Sequence, residues 1–202
     1  MKFHEQKIEG VWLIEVESIA DARGVFQRHY CHREFSQQGI EPGILQTNIS
    51  ENYRKHTLRG FHYQAKPFEE SKTLTCLRGA IYDIVVDLRP GSSTFLQWAP
   101  FELKAGDGRS LHVPVGCANA YLTLEDSTTI LYYMSEAYSV GAYRGFRYND
   151  PLFGFKWPVA PAVISEKDRC YPDFNPGNAG IDSVPFEPTP ASGGLRGRPP
   201  RE

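Results

Sequence analysis

The chain has 202 residues, with 22 basic and 24 acidic side chains and a formal net charge of −2. This near-neutral balance does not favour nucleic acid or a membrane surface as a partner, and no apolar run approaches the ~20 residues needed to cross a bilayer. The length suffices for one domain with a sizeable core. Because the first residues lack the basic-then-apolar build of a signal peptide, we expect a cytoplasmic protein.

In chain order, most of the sequence predicts short strands rich in Val, Ile, Leu, Thr and aromatic residues. Turn signals separate them, such as RPGS at 89–92, AGDG at 105–108 and EDS at 125–127. This succession is typical of an all-β sandwich or barrel. The predicted strands are VWLIEVES (11–18), LQTNISEN (45–52), LRGFHYQ (58–64), KTLTCLRG (72–79), AIYDIVVDLR (80–89), WAPFELK (98–104), SLHVPVG (110–116), NAYLTLED (119–126) and TTILYYMSE (128–136).

Helical periodicity is weak. The run CHREFSQQGI predicts one short helix ending at Gly39, and the segment 150–168 has room for another turn or two. After Phe174 the chain becomes rich in Pro, Gly and Ser, a composition that buries little apolar surface. We therefore expect a domain over residues 1–174 and a loosely ordered tail over 175–202, with solvated arginines rather than a nucleic-acid arm.

The cysteines are Cys31, Cys76, Cys117 and Cys170, far apart and without CxxC spacing. This pattern indicates neither a zinc site nor a disulfide framework, so we expect buried or half-buried free thiols. A catalytic thiol would need an activating base nearby, and the sequence shows none beside them.

His62 lies in the middle of the strand-like run at 58–64. It could be a metal ligand, a packed core histidine with satisfied hydrogen bonds, or a general base. A metal site needs several converging ligands, commonly with a second histidine two positions on. Here that position is Gln64, and His112 is the only later histidine. The sequence therefore predicts no metal site and leaves the other two interpretations open.

The general-base interpretation gains support from three residues further along the chain, Lys72, Tyr132 and Asp168. A base, a cation, a phenol and a carboxylate together suit proton transfer next to a carbonyl group. The base removes an acidic C–H, the cation stabilises the enolate oxygen, and the phenol returns a proton. The carboxylate fixes the tautomer of the histidine. Each residue alone indicates little, because most lysines and aspartates are solvated.

The run from about Val11 to Asp173 resembles the dTDP-4-dehydrorhamnose 3,5-epimerase family. The resemblance is carried, in this order, by ARGVFQR at 22–28, QTNIS at 46–50, LRGFHYQ at 58–64, SKTLTCLRGAIYDIVVDLRPGSSTF at 71–95, HVPVGCANAY at 112–121, YRGFRYNDP at 143–151 and SEKDR at 165–169. It implies an all-β, double-stranded β-helix (a cupin-like jelly roll) with a few short helices, working without metal or other cofactor. It also implies a homodimer that exchanges N-terminal strands.

The same resemblance implies roles for individual residues. His62 matches the base, Asp168 its dyad partner, Lys72 the enolate-stabilising cation and Tyr132 the phenolic acid. The implied substrate-binding residues are Arg23, Phe26, Gln46, Asn48, Arg59, Asn119, Tyr138 and Lys167, some from the partner subunit. Among them, Tyr138 matches an aromatic that stacks on the nucleotide base, and Arg59 a diphosphate contact. No redox cofactor is implied, and the sequence has no glycine-rich dinucleotide fingerprint.

Three positions depart from the pattern of the family. Asn119 stands where a histidine is usual, and Arg28 and Tyr143 each replace a usual glutamate. Asparagine can still hydrogen-bond but cannot carry a positive charge to a phosphate. These changes predict altered substrate recognition with retained chemistry, although neutral drift of peripheral groups would produce the same pattern. The nucleotide, whether dTDP, CDP or GDP, therefore stays open.

The leading hypothesis is an epimerase in deoxysugar biosynthesis that inverts C3, or both C3 and C5, of a nucleotide-diphospho-4-keto-6-deoxyhexose. One alternative is a 3,4-ketoisomerase acting on the same class of substrate through an enediol. The other is a catalytically silent module that only binds a sugar nucleotide. Movement of the carbonyl distinguishes the first alternative, and binding without solvent-proton exchange distinguishes the second.

Overall fold

The computed structural model describes residues 1–40 and 43–178. The strands are β1 Lys2–Glu5, β2 Trp12–Glu15, β3 Ser18–Asp21, β4 Gly24–Gln27, β5 Gln46–Asn52, β6 Thr57–Gln64, β7 Lys72–Arg78, β8 Ala80–Asp87, β9 Trp98–Lys104, β10 Arg109–Val113, β11 Cys117–Thr123, β12 Thr128–Met134, β13 Tyr143–Gly145 and β14 Val163–Ile164. The helices are α1 His32–Ser36 and α2 Glu166–Cys170, followed by a 3₁₀ turn at Pro176–Asn178. No helix within the described ranges is long and apolar enough to cross a membrane.

Two sheets form the body of the molecule. The first has the order β1-β2-β10-β7-β12-β5, and the second has the order β13-β6-β11-β8-β9, with β14 parallel to β6. All other pairings between these strands are antiparallel. Because neighbours in the sheets are often far apart in sequence, the topology is that of a jelly roll rather than a meander. The predicted all-β fold is confirmed.

The core lies where the two sheets face each other, and strand β8 shows how the sequence builds it. Side chains alternate across a strand. Ile81 and Val85 therefore enter the cluster between the sheets, while Ile84 and Val86 enter a second cluster on the outer face. The aromatic residues Phe146, Phe153, Phe155 and Trp157 belong to this outer cluster and cover the second sheet. A strand covered on both faces explains the nearly continuous apolar run of β8.

Each of the nine runs predicted as strands contains a strand. Sequence patterns missed β1, β3, β4, β13 and β14, which have two to four residues each and are too short to display a period. The predicted helix at 31–40 is shorter in the structure, because only His32–Ser36 is helical. Helix α2 overlaps the end of the segment expected to hold a further turn. The predicted tail falls mostly on residues 179–202, outside the described residues.

A bulge in β6 departs from regular pairing and positions the site described below. Asn119 pairs with His62 and Tyr121 with Arg59, so two steps along β11 oppose three steps along β6. Because of the extra residue, the side chains of Arg59 and His62, three positions apart, both face the same side of the sheet. Gly60 lies inside this bulge with φ of 119°. A Cβ atom there would come within 2.6 Å of the carbonyl oxygen of Asn119.

Replacement of Gly60 by alanine is therefore expected to destabilise the fold by about 2 kcal/mol or more, since it adds both a backbone clash and a strained φ. Thermal or urea unfolding monitored by circular dichroism measures the change. Gly91→Ala is the matched control, because a Cβ atom added at Gly91 would meet no other atom within 4 Å. Equal stability of the two variants would contradict this account of the bulge.

Candidate active site

A cavity of about 570 Å³ opens between the two sheets. The alternating side chains of β5, Gln46, Asn48 and Ser50, line one side. Residues of β6, β7, β11 and β12 line the rest, together with Tyr138 and Tyr143. Of the residues predicted to be functional, the cavity wall includes His62, Lys72, Tyr132, Gln46, Asn48, Arg59, Asn119 and Tyr138. These residues thus line one cavity although some are far apart in the chain. Gln46 and Tyr138, for example, are 92 positions apart in sequence.

His62 and Asp168 form a direct pair at this cavity. The Nε2 atom of His62 lies 2.7 Å from Oδ1 of Asp168, and the two side chains are 20% and 6% exposed. The second oxygen of Asp168 accepts from the backbone N–H of Gly60 at 3.4 Å. A carboxylate at Nε2 keeps the proton of the neutral ring on that atom, so Nδ1 is the basic nitrogen.

Local structure brings Asp168 to this position. Strand β14 runs parallel to the start of β6 and leads directly into α2. Ser165 caps α2, since its hydroxyl oxygen accepts the backbone N–H of Asp168 at 3.0 Å. A capped first turn fixes the direction of the side chain at its third position. The carboxylate is therefore held against the histidine by backbone geometry.

Burial and charge tune both members of the pair. Burial lowers the pKa of His62 below its ordinary value, outweighing the hydrogen bond to Asp168, which raises it. Burial is the largest influence on Asp168 and acts to raise its pKa, but the contact with His62 and the hydrogen bonds from Gly60 and Ser165 together hold that pKa below its ordinary value. At neutral pH the carboxylate is thus charged and the imidazole neutral, which is the state a general base requires.

Lys72 begins β7, and its ammonium group reaches towards β6. Its Nζ donates to the carbonyl oxygen of His62 at 3.0 Å and lies 2.9 Å from Oε1 of Glu70. The side chain is only 11% exposed. A largely desolvated cation beside the histidine can stabilise negative charge that develops on a bound substrate.

Tyr132 belongs to β12, in the sheet that faces His62 across the cavity. Burial raises the pKa of its hydroxyl, and the nearby Arg59 acts to lower it. A phenol that keeps its proton at neutral pH is available as a proton donor. The base and this phenol therefore approach the cavity from opposite sheets.

Arg59 is the cation at the outer part of the same cavity. Its Nε donates to Oδ1 of Asn52 at 2.8 Å, which orients the guanidinium group. The bulge at Gly60 allows both Arg59 and His62 to face the cavity. An oriented guanidinium fork suits the oxygens of a phosphate group.

Asn119 hydrogen-bonds behind the cavity wall. Its Nδ2 donates to Oδ2 of Asp83 at 3.0 Å, and Asp83 is completely buried. Burial raises the pKa of Asp83 to about 8, so this carboxyl is mostly protonated at neutral pH. The pair fixes the amide at the position where the sequence departs from the family pattern.

Tyr138, Tyr143 and Lys167 form the rim beside His62. The ring of Tyr143 lies 5.0 Å from the His62 ring and 5.1 Å from the Tyr138 ring. Nζ of Lys167 lies 4.4 Å from the centre of the Tyr143 ring, a cation–π distance. Burial raises the pKa of Tyr143, which keeps the phenol neutral. The rim thus combines aromatic faces with one cation.

The predicted substrate-binding residues Arg23 and Phe26 are not in this cavity. They lie in the β3–β4 hairpin, where Arg23 pairs with Asp21 and both line a separate surface cavity. Arg28, which replaces a glutamate usual in the family pattern, pairs with Glu34. It is absent from the described lining of the main cavity. The structure of the single chain therefore brings together part of the predicted set.

All four cysteines are free thiols, but Cys170 is exposed and not buried or half-buried as predicted. Burial raises the pKa of Cys76 to about 11 and that of Cys117 to about 12, so neither is a ready nucleophile. Within the described ranges, no group of three or more His, Cys, Asp or Glu side chains is arranged to hold a metal ion.

Sequence reasoning missed two buried acids beside the cavity. Asp83 interrupts the apolar run of β8, and an acidic residue in a strand buried on both faces was a usable signal. Glu70 stands in a polar stretch, EESK at 69–72, where nothing in the sequence separates it from a solvated charge. Only the structure shows that its side chain is 1% exposed.

The family model described as dTDP-4-dehydrorhamnose 3,5-epimerase matches residues 5–176. The dTDP-4-dehydrorhamnose 3,5-epimerase of Sinorhizobium fredii is 36% identical, covering 86% of this chain and 90% of that protein. The crystal structure of the enzyme of that name from Bacillus anthracis, with TDP and pyrophosphate bound, has a TM-score of 0.83 and 35% identity, covering 86% of this chain and 99% of that one.

The 3'-monoepimerase ChmJ from Streptomyces bikiniensis, in complex with dTDP-quinovose, has a TM-score of 0.77 and 31% identity, covering 84% of this chain and 86% of that one. Relatives with one and with two inverted carbons thus share this fold. From the matched family model and these similarities, the chain belongs to the dTDP-4-dehydrorhamnose 3,5-epimerase family.

Proposed function

We propose that the protein epimerises a nucleotide-diphospho-4-keto-6-deoxyhexose, with His62 as the base that removes the proton next to the C4 ketone. The observation that carries this proposal is the 2.7 Å contact between His62 and Asp168 at the wall of the inter-sheet cavity. The ketone of the substrate makes the neighbouring C–H acidic, so the step needs no redox cofactor. The reaction belongs to deoxysugar biosynthesis.

The intermediate is an enolate whose oxygen carries the developing charge. Lys72 stabilises this oxygen, because its ammonium group is held next to the backbone of His62. Removing a preorganised donor of this kind from an enzyme typically costs about 10²–10³-fold in turnover.

Inversion requires that the proton return to the opposite face of the carbon. Tyr132 is the donor in this proposal, since β12 and β6 belong to facing sheets and both residues line one cavity. Burial keeps the phenol protonated. In this proposal C3 is inverted first. A second inversion, at C5, requires that the sugar ring then present the C5–H bond to the same base.

The nucleotide part of the substrate occupies the outer cavity in this proposal. Arg59 contacts the diphosphate, Lys167 adds a second cation, and Tyr138 stacks on the base. Gln46, Asn48 and Asn119 complete the polar lining around the sugar. TDP in the related Bacillus anthracis structure favours a thymidine nucleotide. The departures at Asn119 and Tyr143 favour altered recognition at the sugar end of the cavity, which both residues line.

A homodimer with exchanged N-terminal strands would complete the site. Support comes from the β3–β4 hairpin, where Ile19, Val25 and Phe26 are 65%, 64% and 67% exposed. Exposed apolar side chains grouped in this way mark an interaction surface. Strand β5 is an edge strand of the first sheet as described, paired with β12 on one side, and it carries the exposed Ile49. Docking of the hairpin on the partner would bring Arg23 and Phe26 to the partner's cavity.

A cytoplasmic location is part of the same proposal. It is supported by the four free thiols, since secreted proteins more often pair their cysteines.

Proton NMR in D₂O with the dTDP-, CDP- and GDP-linked forms of 4-keto-6-deoxyglucose tests the function. We expect loss of the C3 proton signal with the dTDP sugar, together with a stereoisomeric product. The C5 signal reports in the same spectra whether the second carbon is inverted. Binding without any exchange, or a carbonyl group that moves to C3, would contradict the epimerase assignment.

Subunit complementation tests the exchanged strands. A hairpin variant, Arg23→Ala with Phe26→Ala, is mixed and refolded with His62→Ala. We expect both parents to be impaired and mixed dimers to regain activity, since one of their two sites holds intact residues from each chain. Sedimentation velocity verifies the dimers. As the control, His62→Ala mixed with Lys72→Met should regain no activity. Both residues line the cavity of one protomer, so each site of a mixed dimer still lacks one of them. Equal recovery in both mixtures, or none in either, would contradict the proposal.

A further inference from the structure

The ammonium group of Lys72 is held by two oxygen atoms of the protein. Its Nζ donates to the carbonyl oxygen of His62 at 3.0 Å and lies 2.9 Å from Oε1 of Glu70. An ammonium group has three N–H donors. Two of them face the protein, so the third is available to the cavity that Lys72 lines.

Glu70 is buried and uses one oxygen to contact Lys72 and the other to accept a backbone hydrogen bond. Its side chain is 1% exposed, and its Oε2 accepts the backbone N–H of Gln64 at 3.0 Å. Among the residues the structure describes, Oε1 has no well-aligned hydrogen bond. The charge on Oε1 is therefore balanced by the ammonium group of Lys72. A buried carboxylate requires such a counter-ion, because desolvation of an unpaired charge is costly.

Gln64 ties the position of Glu70 to the rim of the cavity. The Gln64 Oε1 atom accepts the backbone N–H of Ser139 at 2.6 Å, and its Nε2 donates to the carbonyl oxygen of Ala137 at 3.2 Å. These two residues flank Tyr138. The same glutamine thus supports the carboxylate behind Lys72 and the backbone on both sides of the rim tyrosine.

Asp83 is the other acid near Lys72, and it does not replace Glu70 as a counter-ion. Its Oδ2 accepts the hydrogen bond from Asn119. Burial raises the pKa of Asp83 to about 8, so at neutral pH it is mostly protonated and offers little negative charge to the ammonium group. Among the residues that the structure describes, Glu70 is the one carboxylate that forms an ion pair with Lys72.

We propose that Glu70 is a positioning residue, which acts through Lys72 by fixing the ammonium group so that its remaining N–H meets the enolate oxygen. Glu70 does not touch the substrate. The inference rests on the proposed function, in which Lys72 stabilises the enolate. It gives a role to a residue that does not react itself. This residue lies in the polar stretch next to Lys72, where nothing in the sequence distinguishes it from a solvated charge.

Glu70→Gln keeps the size of the side chain and removes its charge. We expect kcat to fall by about 10- to 100-fold, because the cation is displaced from its position. KM should change less than about threefold, because Glu70 makes no contact with the ground-state substrate. Glu69→Gln is the matched control, since Glu69 is adjacent in sequence but lines a different, smaller cavity. It should leave both constants unchanged.

A double-mutant cycle separates action through Lys72 from a general structural effect. Lys72→Met has low activity, measurable as slow C3 deuterium exchange. In that background, Glu70→Gln should cause no further loss. An equal loss in both backgrounds would overturn the inference, and so would a rise in KM with kcat unchanged.

If Glu70→Gln lacks a cooperative thermal transition, the double variant Glu70→Met/Lys72→Met takes its place. Replacing both charges of a buried pair by apolar groups is generally tolerated. This variant should exchange deuterium at the same rate as Lys72→Met alone, and slower exchange in the folded double variant would overturn the inference. Inactivity of the unmodified protein on every sugar would instead overturn the proposed function, whereas an active protein with a normal Glu70→Gln variant overturns only this inference.

Discussion

The contact between His62 and Asp168 is the interaction on which the rest of the site depends. It requires three local structures to meet at one point. The bulge at Gly60 turns His62 into the cavity, β14 places α2 beside the start of β6, and the Ser165 cap directs the carboxylate. Because hydrogen bonds weaken steeply with distance and angle, the His62–Asp168 contact depends on all three.

The two-sheet architecture then explains why an inversion is geometrically natural here. A cavity between facing sheets exposes a bound ring to side chains from both directions. His62 belongs to one sheet, and Tyr132 and Lys72 belong to the other. The same burial that shapes the cavity also tunes the groups, lowering the pKa of His62 and raising that of Tyr132. The base is deprotonated and the acid protonated in the same pH range.

Much of this arrangement was predictable from sequence. Long strands such as β8 and β12 have clear apolar patterns, and the residue types at His62, Lys72, Tyr132 and Asp168 suggest proton transfer. The sequence could not show which residues become buried. Glu70 is identical in type to its neighbour Glu69, and only tertiary packing buries the first and leaves the second half-buried. The hairpin residues Arg23 and Phe26 could be named but not placed, because the sequence does not show that they lie in a hairpin away from the cavity of their own chain.

The most direct test of the central claim compares deuterium incorporation at C3 with inversion at C3 in two variants. In this account His62 removes the proton and Tyr132 returns one to the other face. His62→Ala should therefore abolish both deuterium incorporation and inversion. Tyr132→Phe should still incorporate deuterium into the starting epimer while inversion slows strongly. Deuterium incorporation that persists in His62→Ala, or equal loss of both processes in Tyr132→Phe, would contradict the account.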